Sequence, residues 1–169
     1  MDARKAHRAS SSSSPSFSSK RWEYHIFLSF RGEDTRKGFT SHLHKALESR
    51  RYNVFMDEDD LQVGQVIKPE VLKAIEKSNI SVIVFSTRYA DSSWCLDELV
   101  KIMECRRTLN QIVLPIFYNV DPSDVRHQTG TLASDFQKHT IRRKDEVVKE
   151  WRKALTEAAN LCAGVLEDR

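Results

Sequence analysis

From Lys20 onward the apolar residues switch between two rhythms, short dense runs and spaced helical stripes. Tyr24 to Phe30 is a dense run rich in aromatic and β-type residues and reads as a strand. Phe39, Leu43, Ala46 and Leu47 then recur at helical spacing, which predicts a helix from about Asp34 to Arg50. Val54-Phe55-Met56 is a short strand, and the polar stretch Asp57 to Lys68, with Gly64, is a loop. Pro69 suits the first position of a helix whose buried side is Val71, Leu72 and Ile75. Ile80 to Phe85 predicts a third strand, and a further helix runs from Trp94 to about Arg107. Ile112 to Tyr118 is a fourth strand; its Pro115 would cost a ladder hydrogen bond, so an edge or a bulge is expected there. Asp121 to Asp124 is turn chemistry. Two helices follow, near Thr131–Ile141 and Asp145–Leu161, the second packing through Val147, Val148, Trp151, Leu155, Ala158 and Ala159.

Strand alternating with helix implies a parallel sheet with helices on both faces, an α/β fold. Four strands are legible and a fifth is not.

Residues 1–20 break the pattern. Serine fills positions 10–14, 16, 18 and 19, and the stretch buries too little to offset its ordering entropy, so a disordered leader is expected. Its basic, acid-poor composition is also that of an organelle transit peptide, the less favoured reading. Asp2 excludes N-myristoylation. The expected division is a leader over 1–21, one domain over 22–166 and a tail over 167–169.

The charge follows that division. Residues 1–21 hold five basic side chains against Asp2, while the rest of the chain carries 22 basic and 23 acidic groups. The net charge of +3 therefore belongs to the leader and gives the domain no basic face for nucleic acid. Cys95, Cys105 and Cys162 form neither a disulfide framework nor a zinc pattern, so reduced cytosolic thiols are expected. No apolar run approaches the ~20 residues of a membrane span.

Several α/β chemistries drop out. No G-x-G-x-x-G follows the first strand, and neither a P-loop nor a G-x-S-x-G elbow exists. A phosphoacceptor Asp is missing at the end of the third strand, where Phe85-Ser86 stands. His42 and His44 are two apart on a helix and face different ways, so no shared metal is expected. Lone His127 and His139 are expected at the surface.

Trp94 to Leu99 carries the strongest candidate chemistry. It opens a helix just beyond a buried strand, on the sheet edge where ligands bind in open α/β folds. Trp94 and Glu98, four apart, share one helix face; Leu96, Leu99, Val100 and Met103 form the core stripe on the other. An aromatic plate beside a carboxylate, facing away from the core, suits a nucleotide or a cationic ring. A helical Glu opposite an apolar stripe is ordinarily just solvated, so spacing alone leaves both readings open.

Phe27 to Arg36 (FLSFRGEDTR), the Gly64 loop, Val82 to Ser86, Tyr89-Ala90, Trp94 to Leu99 and Asp121 to Arg126 occur in this order and together resemble a plant Toll/interleukin-1 receptor (TIR) domain. The likeness covers roughly Tyr24 to Leu161. It implies a flavodoxin-like three-layer fold with four to five parallel strands. It also implies an NAD+ nucleosidase: plant TIR domains cleave the nicotinamide–ribose bond when they self-associate, releasing nucleotide signals in innate immunity and cell death. Glu98 matches the catalytic glutamate, and Phe30, Arg31, Gly32 and Trp94 match the substrate-binding surround. Ser41-His42 matches a symmetric self-association pair. The loop residues Asp60, Leu61, Gly64 and Ile67 would reach a neighbouring subunit's site. NAD+, or NADP+, is then substrate, and no bound cofactor or metal is implied. The implied partners are other TIR domains, in a homo-oligomer such as a tetramer, with receptor regions or downstream immune proteins beyond them. The implied location is the cytoplasm, with the nucleus as the alternative.

The chain departs from the family pattern at His25, where Asp is usual, at Val63, where a basic residue is common, and near Asn160 to Val165, which lacks a Gly-Trp pair. Those departures point to weaker or regulated assembly. A catalytically silent TIR–TIR adaptor is the competing reading. A nucleic-acid-dependent nucleotide synthetase or binder is a third, resting only on the basic leader.

Overall fold

A computed structural model describes residues 22–57 and 66–167, with side chains through Leu161. The leader 1–21 and the tip of the 57–68 loop, including Asp60, Leu61 and Gly64, lie outside the described residues.

Four parallel strands form one sheet: β1 (Tyr24–Phe30), β2 (Val54–Met56), β3 (Ser78–Phe85) and β4 (Ile112–Phe117), in the spatial order β2-β1-β3-β4. The helices are α1 (Gly32–Thr35), α2 (Phe39–Ser49), α3 (Pro69–Glu76), α4 (Ser93–Leu109), α5 (Pro122–His127), α6 (Thr131–Arg142) and α7 (Asp145–Glu167), with a 3₁₀ turn at Tyr89–Asp91. This is the flavodoxin-like α/β arrangement, with four strands among the described residues.

Strand alternation sorts the core into two. Phe27, Ile83 and Phe85 point to the side covered by α3, α4 and α7, where Leu96, Leu99, Trp151 and Leu155 meet them. Ile26, Leu28, Phe30, Val82 and Val84 point to the other side and receive Phe39, Leu43 and Leu47 of α2. Ala46, expected in that stripe, is exposed. The first core is the larger, and truncating a fully buried member such as Leu99 to Ala would cost ~2–5 kcal/mol.

Pro115 sits on β4, an edge strand, as expected. The Tyr118 N–H bonds to the Phe85 carbonyl at 2.8 Å, so even-numbered β4 residues face β3. Pro115 belongs to the odd-numbered set that faces the open edge, and its missing N–H costs β3 no bond.

Three expectations need correction. The single helix over 34–50 is two helices, α1 and α2, joined around Gly38. A buried 2.6 Å hydrogen bond between the hydroxyls of Thr35 and Thr40 ties the two helices across the break. Asp121 to Asp124 is not only a turn: Asp121 caps α5, its carboxylate accepting from the Ser123 N–H at 2.8 Å, with Pro122 in the first turn. His139 is buried rather than exposed. Its Nε2 donates to the Ala90 carbonyl at 2.7 Å, and its ring meets Trp151 edge-on, so burial holds it below its ordinary pKa. His127 is exposed.

Candidate active site

β1 ends at Phe30, and the chain turns at once into Arg31 and the short α1. Beside it, the 3₁₀ turn delivers the chain to Ser92, whose hydroxyl caps α4 by accepting from the Cys95 N–H at 3.2 Å. The two segments enclose a cavity of about 670 Å³ at the carboxyl end of β1. Phe30, Arg31 and Gly32 line it from one side, Trp94, Cys95 and Glu98 from the other, and Asp57 from beyond β2. Every residue expected to surround the substrate therefore borders one cavity with Glu98.

The expected orientation of Trp94 and Glu98 is corrected. They do not face away from the protein: each is only 4% exposed. The face opposite Leu96 and Leu99 meets the end of β1 instead of solvent, so the first turns of α4 are buried nearly all round. Burial changes the electrostatics of Glu98. Desolvation, and then the charge of Asp57, push its carboxyl well above the usual range, while hydrogen bonds from Ser29 and Trp94 act the other way. Ser29 Oγ lies 3.4 Å from Glu98 Oε2.

Positive charge gathers on the segment after β1. The Arg31 side chain is 15% exposed and reaches Glu33 Oε2 at 3.3 Å. The Arg36 guanidinium lies over the Phe30 ring, 5.3 Å from its centre. Arg36 and Lys37 also border the cavity. Glu33 and Asp34 border it as well, so the lining mixes the carboxyl groups of Glu98, Asp57, Glu33 and Asp34 with the guanidinium and ammonium groups of Arg31, Arg36 and Lys37. Cys95 is no nucleophile at neutral pH: burial pushes its thiol up to about 12. Among the described residues no cluster of His, Cys, Asp and Glu is placed to hold a metal.

Of the other candidates, Ser41 is half-buried and His42 exposed on α2, away from the cavity lining. Ile67 is half-buried against the domain's own core. His25 is exposed and accepts the Asn53 N–H on Nδ1 at 2.8 Å. Ser29, Asp57, Arg36 and Lys37 were not singled out by sequence. Ser29 left one signal, a lone hydroxyl on the apolar side of β1, which a core serine leaves equally well.

Fold and cleft together define a member of the TIR domain family, which residues 23–169 match. The chain belongs to that family. Within it, the chain is similar to the TMV resistance protein N of Nicotiana glutinosa, 53% identical over 148 residues that cover 86% of this chain and 13% of that protein. It is likewise 54% identical over 170 residues to the disease resistance protein RPV1 of Vitis rotundifolia, covering 100% of this chain and 12% of that protein. Among solved structures, the TIR domains of the activated Roq1 resistosome that directly recognizes the pathogen effector XopQ are 49% identical. They superpose with a TM-score of 0.74, covering 81% of this chain and 84% of that one. The chain therefore spans only about an eighth of the length of these two resistance proteins. Among the described residues no helix is long and apolar enough to cross a membrane.

Proposed function

We propose that this domain is an NAD+ nucleosidase, active on self-association, that supplies nucleotide signals in plant innate immunity. The observation that carries the reading is the buried Glu98 carboxyl on the wall of a cavity bordered by Trp94 and the basic segment after β1.

The chemistry suits that geometry. The nicotinamide of NAD+ is already a pyridinium, so it leaves the ribose as a neutral molecule and needs no general acid. One carboxylate beside the ribose is sufficient, unlike the paired carboxylates of ordinary glycosidases. As the bond breaks, positive charge passes from the ring to an oxocarbenium-like ribose that anionic Glu98 stabilises in place, and water adds to the ribose carbon and releases a proton to solvent. Trp94 offers an indole face to a nucleotide ring. Arg31, Arg36 and Lys37 suit the pyrophosphate. Because burial raises the Glu98 carboxyl, the active anion gains population as pH rises, and the cationic substrate favours the same form.

Self-association draws on two supports: the resemblance implies a symmetric helix contact through Ser41-His42, and the similar Roq1 domains sit in a resistosome. The relatives' names, a TMV resistance protein and a disease resistance protein, support a role in disease resistance. Chromatographic assay of NAD+ with wild type and Glu98→Ala tests the activity. Nicotinamide release by wild type alone is expected. Equal release by the folded variant would overturn the role of Glu98, and no release from crowded wild type would favour the silent adaptor.

A further inference from the structure

Behind Glu98 lies a buried chain of hydroxyls with fewer protons than contacts. Ser29 is fully buried, and its Oγ stands 2.8 Å from the Tyr89 hydroxyl as well as within reach of Glu98 Oε2. The Tyr89 hydroxyl, itself buried, also lies 3.1 Å from the Cys95 carbonyl, which can only accept. The three contacts from Glu98 to Cys95 have two hydroxyl protons between them, one on Ser29 and one on Tyr89. In one arrangement Tyr89 donates to Ser29, and Ser29 donates to Glu98. In the other Ser29 donates to Tyr89, and Tyr89 donates to the Cys95 carbonyl.

The charge on Glu98 selects between them. An anionic carboxylate is the strongest acceptor in reach and draws the Ser29 proton. A neutral carboxyl supplies its own proton, which releases the Ser29 proton to Tyr89. The groups facing Glu98 from the packed elements are Asp57 beyond β2, Arg31 and the charged residues of 33–37 after β1, Cys95 on α4 and Tyr89 in the 3₁₀ turn. The Trp94 indole N–H also bonds to Glu98 without bringing charge, but Tyr89 and Cys95 are held neutral by burial, so Ser29 is the uncharged donor whose hydroxyl can turn between the carboxylate and a second buried partner.

We infer that Ser29 is a positioning residue whose hydroxyl turns between Glu98 and Tyr89, orienting and favouring the carboxylate anion, with Tyr89 as its alternative acceptor. The inference rests on Glu98 being the carboxylate that acts on the substrate. It assigns opposite effects to two small changes. Ser29→Ala removes the donor that the anion uses. Tyr89→Phe removes two bonds of the neutral arrangement and one of the anionic arrangement.

The test is a ¹³C NMR titration of the Glu98 side-chain carboxyl, assigned by its loss in Glu98→Gln, in wild type, Ser29→Ala and Tyr89→Phe. Ser29→Ala is expected to raise the Glu98 midpoint by about one pH unit, the size of one hydrogen bond to a charged group. Tyr89→Phe is expected to lower it by a fraction of that. Where wild type cleaves NAD+, the acid limb of kcat/KM in each variant should shift with that variant's Glu98 midpoint. Midpoints that shift in the same direction, or that stay within 0.2 unit (roughly 0.3 kcal/mol) of wild type, would overturn the inference. The carboxyl titration needs no turnover. Absent cleavage with opposite midpoint shifts would therefore count against the nucleosidase reading and leave the switching of Ser29 standing.

Discussion

Replacing Glu98 by Gln keeps the side chain's shape and removes its charge, so it isolates the electrostatic part of the proposed reaction. The carboxyl is buried, and an effective dielectric of about 20 suits such a site. A unit charge about 4 Å from the developing oxocarbenium carbon is then worth about 4 kcal/mol. That corresponds to roughly a thousandfold in rate. Single-turnover nicotinamide release is the assay, because it reads the bond-breaking step apart from product release and assembly. Stability should move the other way. A carboxyl whose folded pKa is raised binds its proton more tightly folded than unfolded, so folding loses stability as pH climbs from the ordinary Glu range to the raised value. Gln titrates nowhere. The variant should therefore melt higher than wild type at pH 8, and that advantage should fade as pH falls toward the ordinary Glu range and be gone below about 4. A variant that cleaves within tenfold of wild type, roughly 1.4 kcal/mol, would refute the charge argument. One that melts lower at pH 8 would refute the uncompensated burial.

Other expectations follow from the same physics. Asp135 on α6 is raised from 3.8 to about 6, first by burial and then by Asp91. Folding should lose stability between pH 4 and 6, and Asp135→Asn should recover about 1–2 kcal/mol above pH 6, allowing for partial screening, or roughly 2–8 °C in melting temperature. Identical melts at pH 4 and pH 7 would contradict this. Gly130 sits at φ +62°, and a Cβ there would lie 2.7 Å from Asp124 Oδ2. Gly130→Ala should lose about 1–3 kcal/mol in urea unfolding, and an unchanged midpoint would show that the turn relaxes freely. His42→Ala should weaken self-association in sedimentation and cleavage in parallel. Lost activity at an unchanged association constant would assign His42 another role.

Much of the fold was legible because the apolar rhythm is regular. β1 and β2 begin and end where their dense runs do, Pro69 opens α3, and Pro115 lies on an edge. The break between α1 and α2 was hidden, since Phe39, Leu43 and Leu47 keep their spacing beyond it. Helical period showed that Trp94 and Glu98 share a face, but it describes a helix relative to its own axis. It could not show that the end of β1 covers that face, and so it missed the burial that raises the Glu98 carboxyl. Ser29 and Tyr89 lie 60 residues apart and become partners only through packing. His139 misled for a similar reason: its partners, the Ala90 carbonyl and Trp151, come from distant segments.

The central claim is that this cavity breaks the nicotinamide–ribose bond once the domains are brought together. Measuring nicotinamide release from NAD+ against rising protein concentration tests it most directly, extended to domains tethered on a multivalent scaffold. The account predicts release that climbs faster than linearly with concentration, with nicotinamide equal to the NAD+ consumed. No release from folded, tethered wild-type domains would contradict it.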